Sequence, residues 1–162
     1  MQALVDIVRS GKALYVGISR WPLEALKTAD QYLRERDVPL LIYQGRMNML
    51  DREPLEDGVL EYCREHGIGF IAFSPLAQGL LTDRYLNGIP ADSRMAREHF
   101  LKKEALTPQL LDYLQELKQQ ADKRGESIAQ QALRWVLNQQ GVTSVLVGAS
   151  STAQLETNLA II

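Results

Sequence analysis

The chain has 162 residues, 46% of them hydrophobic and 23% charged, and its 18 basic and 20 acidic side chains give a net charge of −2. This composition indicates one soluble, cytoplasmic globular domain, because it lacks the basic face of nucleic-acid-binding proteins and any apolar run near the ~20 residues of a membrane helix. The first residues lack the pattern of a secretory signal, the single Cys63 excludes an internal disulfide, and no Cys/His spacing suggests a metal site.

After a leading helix, four short apolar runs predict strands over residues 13–19, 39–44, 68–74 and 143–148. Each run is nearly continuous in apolar residues, which is typical of a parallel strand that is covered on both faces. Helical spacing of apolar residues fills the intervals, over residues 22–36, 54–66, 108–124 and 127–139, and a last helix begins near Ser151 and Thr152. Right-handed crossovers between successive strands then predict a parallel sheet in an α/β fold.

Local signals mark the helix ends. Gly67 is suited to follow the helix over 54–66, Thr107 can cap the helix over 108–124, and Ser127 with Gln130 forms a capping box. The helix over 54–66 is expected to bury an apolar face made of Leu55, Val59 and Cys63. The last helix is expected to bury Leu155, Leu159 and Ile162.

The segment over residues 82–106 differs from the rest of the chain. It is rich in charged residues and turn formers, and it predicts a long loop of the kind that is usually functional or mobile. Four βα units fit either a small open sheet or part of a (β/α)₈ barrel, which needs about 250 residues for eight units. The chain looks like half a barrel.

Polar residues follow each predicted strand, at the end where α/β folds bind ligands. The candidates are Ser19, Arg20, Trp21, Gln44, Asn48, Ser74, Gln78, Gly148, Ser150 and Ser151. The junction that begins at Gly148 combines a glycine with a new helix N-terminus and suits an anion, although the same residues also serve as plain helix caps. Arg94 of the polar segment is either a cation for that anion or a solvated loop arginine.

Three motifs resemble a known family. VGIS in the first strand, SPLAQGLLTDRY after the third and GASSTAQLETN after the fourth are similar to the second half of the aldo-keto reductases. The resemblance is to the branch of bacterial L-glyceraldehyde 3-phosphate reductases and potassium-channel β subunits, and it covers residues 1–162. It implies an α/β fold that is the C-terminal half of a (β/α)₈ TIM barrel, strands five to eight with their helices, and an NADP cofactor.

The resemblance also implies a role for each matching residue. Ser19 and Gln44 would hold the nicotinamide carboxamide, with Arg20 in place of the usual asparagine, and Phe73 would stack on the nicotinamide ring. The pyrophosphate would lie along Ser74, Pro75, Leu76, Gln78 and Gly79. The adenosine and its 2′-phosphate would be surrounded by Arg94, Gly148, Ser150, Gln154 and Asn158. The chain departs from the family with Met47-Asn48 after the second strand and with Thr157, where an acidic residue is usual.

The family's catalytic Asp-Tyr-Lys-His tetrad lies on or after the first four strands of the barrel, and no residue here matches it. The tyrosines of this chain do not lie in the proton donor's motif. His66 is expected to end a helix, and His99 is expected to lie in a loop. We therefore predict a reductase fragment that is inactive alone. It would join a complementary N-terminal half to reduce a small carbonyl compound. The alternative is a non-catalytic NADP(H)-binding or self-associating half-barrel.

Overall fold

The computed structural model describes residues 1–97 and 101–161, so His99 and Ile162 lie outside the described residues. Its sheet contains strands β1 (Val16–Ser19), β2 (Leu40–Arg46), β3 (Gly69–Phe73) and β4 (Val142–Val145) in the order β1-β2-β3-β4. Every neighbouring pair is parallel. The predicted α/β class and parallel sheet are confirmed. Within the described residues, no helix is both long and apolar enough to cross a membrane.

The helices are, in chain order, α1 (Gln2–Arg9), α2 (Leu23–Arg34), α3 (Glu53–Glu56), α4 (Val59–Glu65), α5 (Pro108–Arg124), α6 (Ile128–Leu137) and α7 (Thr152–Leu159). The main core lies between one face of the sheet and four of these helices. The helices contribute Val5, Leu26, Leu33, Val59, Cys63 and Val136 to this core. The strands contribute Val16, Ile18, Leu40, Tyr43, Phe70 and Ala72.

The other face of the sheet is open. Side chains on that face form a row across all four strands, in the register Ser19–Gln44–Ile71–Ser144. The two middle positions are half-buried and the two outer ones are exposed. The expected burial of each strand on both faces is therefore wrong at the edge strands, because no described element packs over this side of β1 or β4.

The helix predicted over 54–66 is two helices instead of one. Gly58 has φ +82°, a left-handed conformation that ends α3 and begins α4. The break turns Leu55 toward solvent, whereas Val59 and Cys63 are fully buried as predicted. Gly67 follows α4 with φ +69°, as its position in the sequence indicates.

The predicted caps are present, but the apolar face of α7 is not buried. Thr107 Oγ1 accepts a hydrogen bond from Leu110 N at 3.2 Å, and the Ser127–Gln130 capping box is complete. In α7, Leu155 and Leu159 are 41% and 52% exposed, so the expectation that they turn inward is wrong. The helix packs mainly against α6, and these two leucines remain exposed.

The long polar segment has short 3₁₀ turns at Asp83–Tyr85 and Lys103–Ala105. It also has its own small core, formed by Leu80, Tyr85, Met95 and Leu101. This cluster anchors the described part of the loop beside the end of β3.

Candidate functional site

A cleft of about 990 Å³ opens at the carboxyl ends of β3 and β4. Its walls come from the loop after β3, from the polar segment, from the loop after β4 and from α7. Most of the residues predicted to contact a dinucleotide line it: Ser74, Pro75, Leu76, Gln78, Gly79, Arg94, Gly148, Ser150, Gln154 and Asn158. Segments that are far apart in the sequence therefore meet at one concavity.

The remaining predicted contacts do not line this cleft, and three of them, Ser19, Gln44 and Phe73, belong to the open face of the sheet. Ser19 and Gln44 are register partners at the ends of β1 and β2, and Phe73 is the last residue of β3, directly before Ser74. Arg20 lines a separate cleft of about 220 Å³. The structure thus divides the predicted site between the large cleft and the open ends of β1 and β2.

Left-handed backbone shapes the wall of the cleft after β3. Ser74, Ala77 and Gln78 have φ of +53°, +47° and +60°, values that non-glycine residues rarely adopt. Hydrogen bonds hold this turn, from Ala77 N to Ser74 O at 3.0 Å and from Thr82 Oγ1 to Gly79 O at 2.7 Å. Strained backbone of this kind tends to cluster where a ligand or reacting group must be placed.

The opposite wall is fixed by side-chain caps. Gln154 Oε1 accepts from Ser150 N at 2.7 Å and from Ser150 Oγ at 3.0 Å, while Ser151 Oγ accepts from Gln154 N at 3.2 Å. Asn158 is 5% exposed, and its buried Nδ2 has no hydrogen-bond partner within the described residues. A buried donor without a partner is costly, so this nitrogen suits a ligand acceptor.

Three arginines line the cleft together with Asp83 and Asp92, and two of these arginines were not among the predicted contacts. Arg94 lies between buried Ser93 and Met95, which hold its backbone beside the cleft. Arg84 Nη2 lies 2.7 Å from Asp92 Oδ2, and this guanidinium lowers the pKa of that exposed carboxyl. Arg84 and Arg97 also line the cleft. Arg84 lies within the motif SPLAQGLLTDRY but was assigned no role, and Arg97 lies in the charge-rich segment outside any motif.

Two tyrosines, Tyr43 and Tyr62, are hydrogen-bonded through their hydroxyls and have raised pKa values. Burial raises the pKa of Tyr43 to about 12, and its hydroxyl donates to Trp21 O at 2.8 Å. Burial and a hydrogen bond to Asp30 raise the pKa of Tyr62 to about 12. His66 stacks on Tyr62 at the end of α4, away from the cleft. No cluster of metal-ligating side chains occurs among residues 1–97 and 101–161.

These features suit an elongated anionic ligand better than a small neutral one. Strained backbone lines one wall of the cleft, helix-end caps line the opposite wall, and guanidinium groups lie in the same lining. Polar strand ends lie further across the sheet. Backbone N–H groups at helix ends and arginines are the usual partners of phosphate groups. The arrangement can bind such a ligand.

Comparison with known proteins agrees with this geometry. The chain is 50% identical over 162 residues to the L-glyceraldehyde 3-phosphate reductase of Escherichia coli K12, a match covering 97% of this chain and 46% of that protein. It is 34% identical to a probable voltage-gated potassium channel subunit beta of Arabidopsis thaliana, covering 98% of this chain and 50% of that one. The chain therefore spans about half the length of the curated relatives it matches.

Structural comparison gives the same result. A crystal structure of a thermostable aldo-keto reductase in complex with the inhibitor epalrestat superposes with a TM-score of 0.67 at 25% identity, covering 99% of this chain and 47% of that one. The model of the aldo/keto reductase family matches residues 1–162. The chain belongs to the aldo/keto reductase family.

Proposed function

We propose that this chain is the dinucleotide-binding half of an NADPH-dependent reductase of small aldehydes or ketones, and that the proton-donating half is supplied by other residues. The observation that carries the proposal is that two of the three family motifs line one cleft, while the third, VGIS, ends at Ser19 on the open face of the sheet. All of the predicted contacts except Ser19, Arg20, Gln44 and Phe73 line one cleft, and these four lie at adjacent strand ends.

The residues of the cleft fit an NADP cofactor. The partnerless Nδ2 of Asn158 calls for an acceptor such as a purine nitrogen, and Arg94 has no carboxylate partner in the described part of the chain. Among the chain's own groups, Arg94 would bind the 2′-phosphate, the Ser74–Gly79 loop the pyrophosphate, and Ser19 with Gln44 the carboxamide. When bound, the cofactor would supply the hydride. The chain would orient the cofactor and exclude water from the side of the cofactor that it covers.

The exposed surface supports a half-barrel. The chain exposes 9595 Å², whereas a typical monomer of its mass would expose about 8,100 Å². The excess includes Leu14 before β1, 80% exposed, and Leu159 on α7. Both edges of the sheet also present unpaired strands, which a closed barrel would satisfy. This surface is suited to a further set of four parallel strands.

A complementary half fits these edges better than a second copy. A (β/α)₈ barrel has an outer ring with one helix between neighbouring strands. Here α1 precedes β1 and packs on the core through fully buried Val5, while α7 follows β4. Two copies would bring α1 of one and α7 of the other to the same seam, whereas a half with four strands and three helices would leave room for both.

Titration of the chain with NADPH and NADH, followed by nucleotide fluorescence, tests cofactor binding. We expect NADPH to bind more tightly, and Arg94→Ala to weaken NADPH at least tenfold, since a hydrogen bond to a charged group contributes about 1.5–3 kcal/mol. The same substitution should leave NADH affinity within about twofold, because NADH lacks the 2′-phosphate.

The matched control is Lys27→Ala, which removes a cation from α2, paired with Glu24 on the surface. It should change neither affinity, because surface ion pairs contribute little. Absence of NADPH binding by the wild-type chain at high protein concentration, with the fold intact by circular dichroism, would refute autonomous binding. Light scattering on the same samples tests the partner: a uniform dimer would favour self-association over the complementary half.

A further inference from the structure

Asn48 lies in the turn after β2 and is 2% exposed. Its Oδ1 accepts from Leu50 N and from Asp51 N, each at 2.9 Å, and its backbone pairs with that of Asp51. An ion pair of 2.5 Å between Arg46 Nη2 and Asp51 Oδ2 closes the same turn. The carboxamide is therefore held in one orientation, with its Nδ2 directed away from its own turn.

That nitrogen reaches the wall of the cleft. Asn48 Nδ2 donates to Ser74 O at 3.0 Å, across 26 positions of sequence. Ser74 is the first left-handed residue after β3, with φ +53°, and its carbonyl also accepts from Ala77 N at 3.0 Å. The peptide that begins the strained turn is thus fixed from both sides, by the turn itself and by the neighbouring loop.

The strain explains why a second donor is needed. Three residues of this turn that are not glycine adopt positive φ, and such backbone persists only where its surroundings over-determine it. Asn48 is buried and does not line the cleft, so any effect it has on a ligand is transmitted through Ser74.

We propose that Asn48 is a positioning residue for the cofactor: its side-chain N–H locks the Ser74 carbonyl and thereby holds the Ser74–Gly79 loop in the form that binds the pyrophosphate. This inference rests on the proposed function for the identity of the ligand. The loop geometry it invokes stands without that function.

Asn48→Asp removes the donor to Ser74 O. Aspartate keeps an Oδ1 acceptor for Leu50 N and Asp51 N, but it also places a negative charge at this buried position beside the Ser74 carbonyl, which opposes the contact further. The matched control is Asp51→Asn, which removes the ion pair with Arg46 from the same turn and leaves the contact to Ser74 in place. Thermal unfolding of both variants identifies any general loss of stability.

Hydrogen exchange of the chain without nucleotide gives the first readout. In Asn48→Asp we expect the amides of Ala77, Gly79 and Leu81, which bond within this turn, to exchange at least tenfold faster. Amides of the β2–β3 ladder should keep their wild-type rates. Unchanged exchange in the turn, or an equal increase throughout the sheet, would overturn the proposal.

Nucleotide titration gives the second readout. Because the pyrophosphate is common to NADPH and NADH, Asn48→Asp should weaken both by the same factor, about fivefold or more. This differs from Arg94→Ala, which should affect NADPH alone. A loss of affinity for NADPH alone, or an equal loss of affinity for both nucleotides in Asp51→Asn, would contradict the assigned role. If the wild-type chain binds neither nucleotide, the proposed function fails, while the exchange experiment still decides whether Asn48 holds the loop.

Discussion

Mixing this chain with the complementary amino-terminal half of its Escherichia coli relative is expected to produce NADPH-dependent reduction of a small aldehyde that neither half shows alone. We expect this because, under the proposed function, this chain positions the cofactor and the other half carries the proton donor. Proton transfer by a positioned side chain contributes about 10²–10⁴-fold to a rate. We therefore expect the mixture to exceed the summed rates of the halves at least about a hundredfold, measured as loss of NADPH absorbance.

Two controls connect that activity to the halves. Replacing the tetrad tyrosine of the complementing half with phenylalanine should abolish the rate without preventing assembly, as judged by light scattering. Arg94→Ala in this chain should raise KM for NADPH while leaving kcat near that of the unmodified mixture, because the 2′-phosphate lies far from the reacting carbons. Full activity of this chain by itself would show that its own residues donate the proton, and an inactive but stable complex would refute the complementation.

Much of the sheet could be predicted because its determinants are local. Apolar runs of strand length, separated by helical spacing, indicated the four parallel strands, and Thr107 and Ser127 supply the caps that their positions suggest. These signals depend on hydrogen bonds within three or four residues. They do not depend on how the chain is closed in space, so they hold in an open sheet and in a barrel alike.

The predictions of the fold are wrong where the burial of a side chain depends on residues that are distant in the sequence. The apolar spacing of Leu155 and Leu159 is real, yet a helix buries its apolar side only when another element covers it, and α7 packs mainly against α6 with these two leucines exposed. The break at Gly58 had a local signal, a glycine within a helical pattern. That signal was outweighed by apolar spacing that continued across it.

Some residues of the candidate site could likewise be predicted from local sequence, and others could not. Residues within the motifs, such as Gly148 and Gln154, could be identified from sequence because the motif fixes their place relative to a strand end. Arg97 could not, because its proximity to the cleft depends on the path of the polar segment, which Met95 and its neighbours anchor through contacts that no local pattern encodes. Arg84 lies within SPLAQGLLTDRY, and the motif alone did not assign it a contact.

Phe70→Ala is expected to lower the free energy of unfolding by about 3–5 kcal/mol. Phe70 is fully buried in β3, and its ring stacks on that of Tyr43 with centroids 5.7 Å apart. The ring also fills the space above Gly45, where an added Cβ would lie 2.5 Å from Phe70 Cζ. Removing it opens a cavity at the centre of the main core, and a loss of this size is a large part of the about 5–15 kcal/mol that stabilises most domains.

Urea unfolding followed by circular dichroism measures the effect, and Phe73→Ala is the matched control. Phe73 belongs to the same strand but lies half-buried on the open face, so its truncation should cost less than half as much. Gly45→Ala tests the packing from the other side: it should destabilise the wild type by overpacking against the ring, yet cost less in the Phe70→Ala background, where its methyl group enters the cavity. Equal losses for Phe70→Ala and Phe73→Ala would show that the two faces of the sheet are equally covered, which contradicts an open half-barrel.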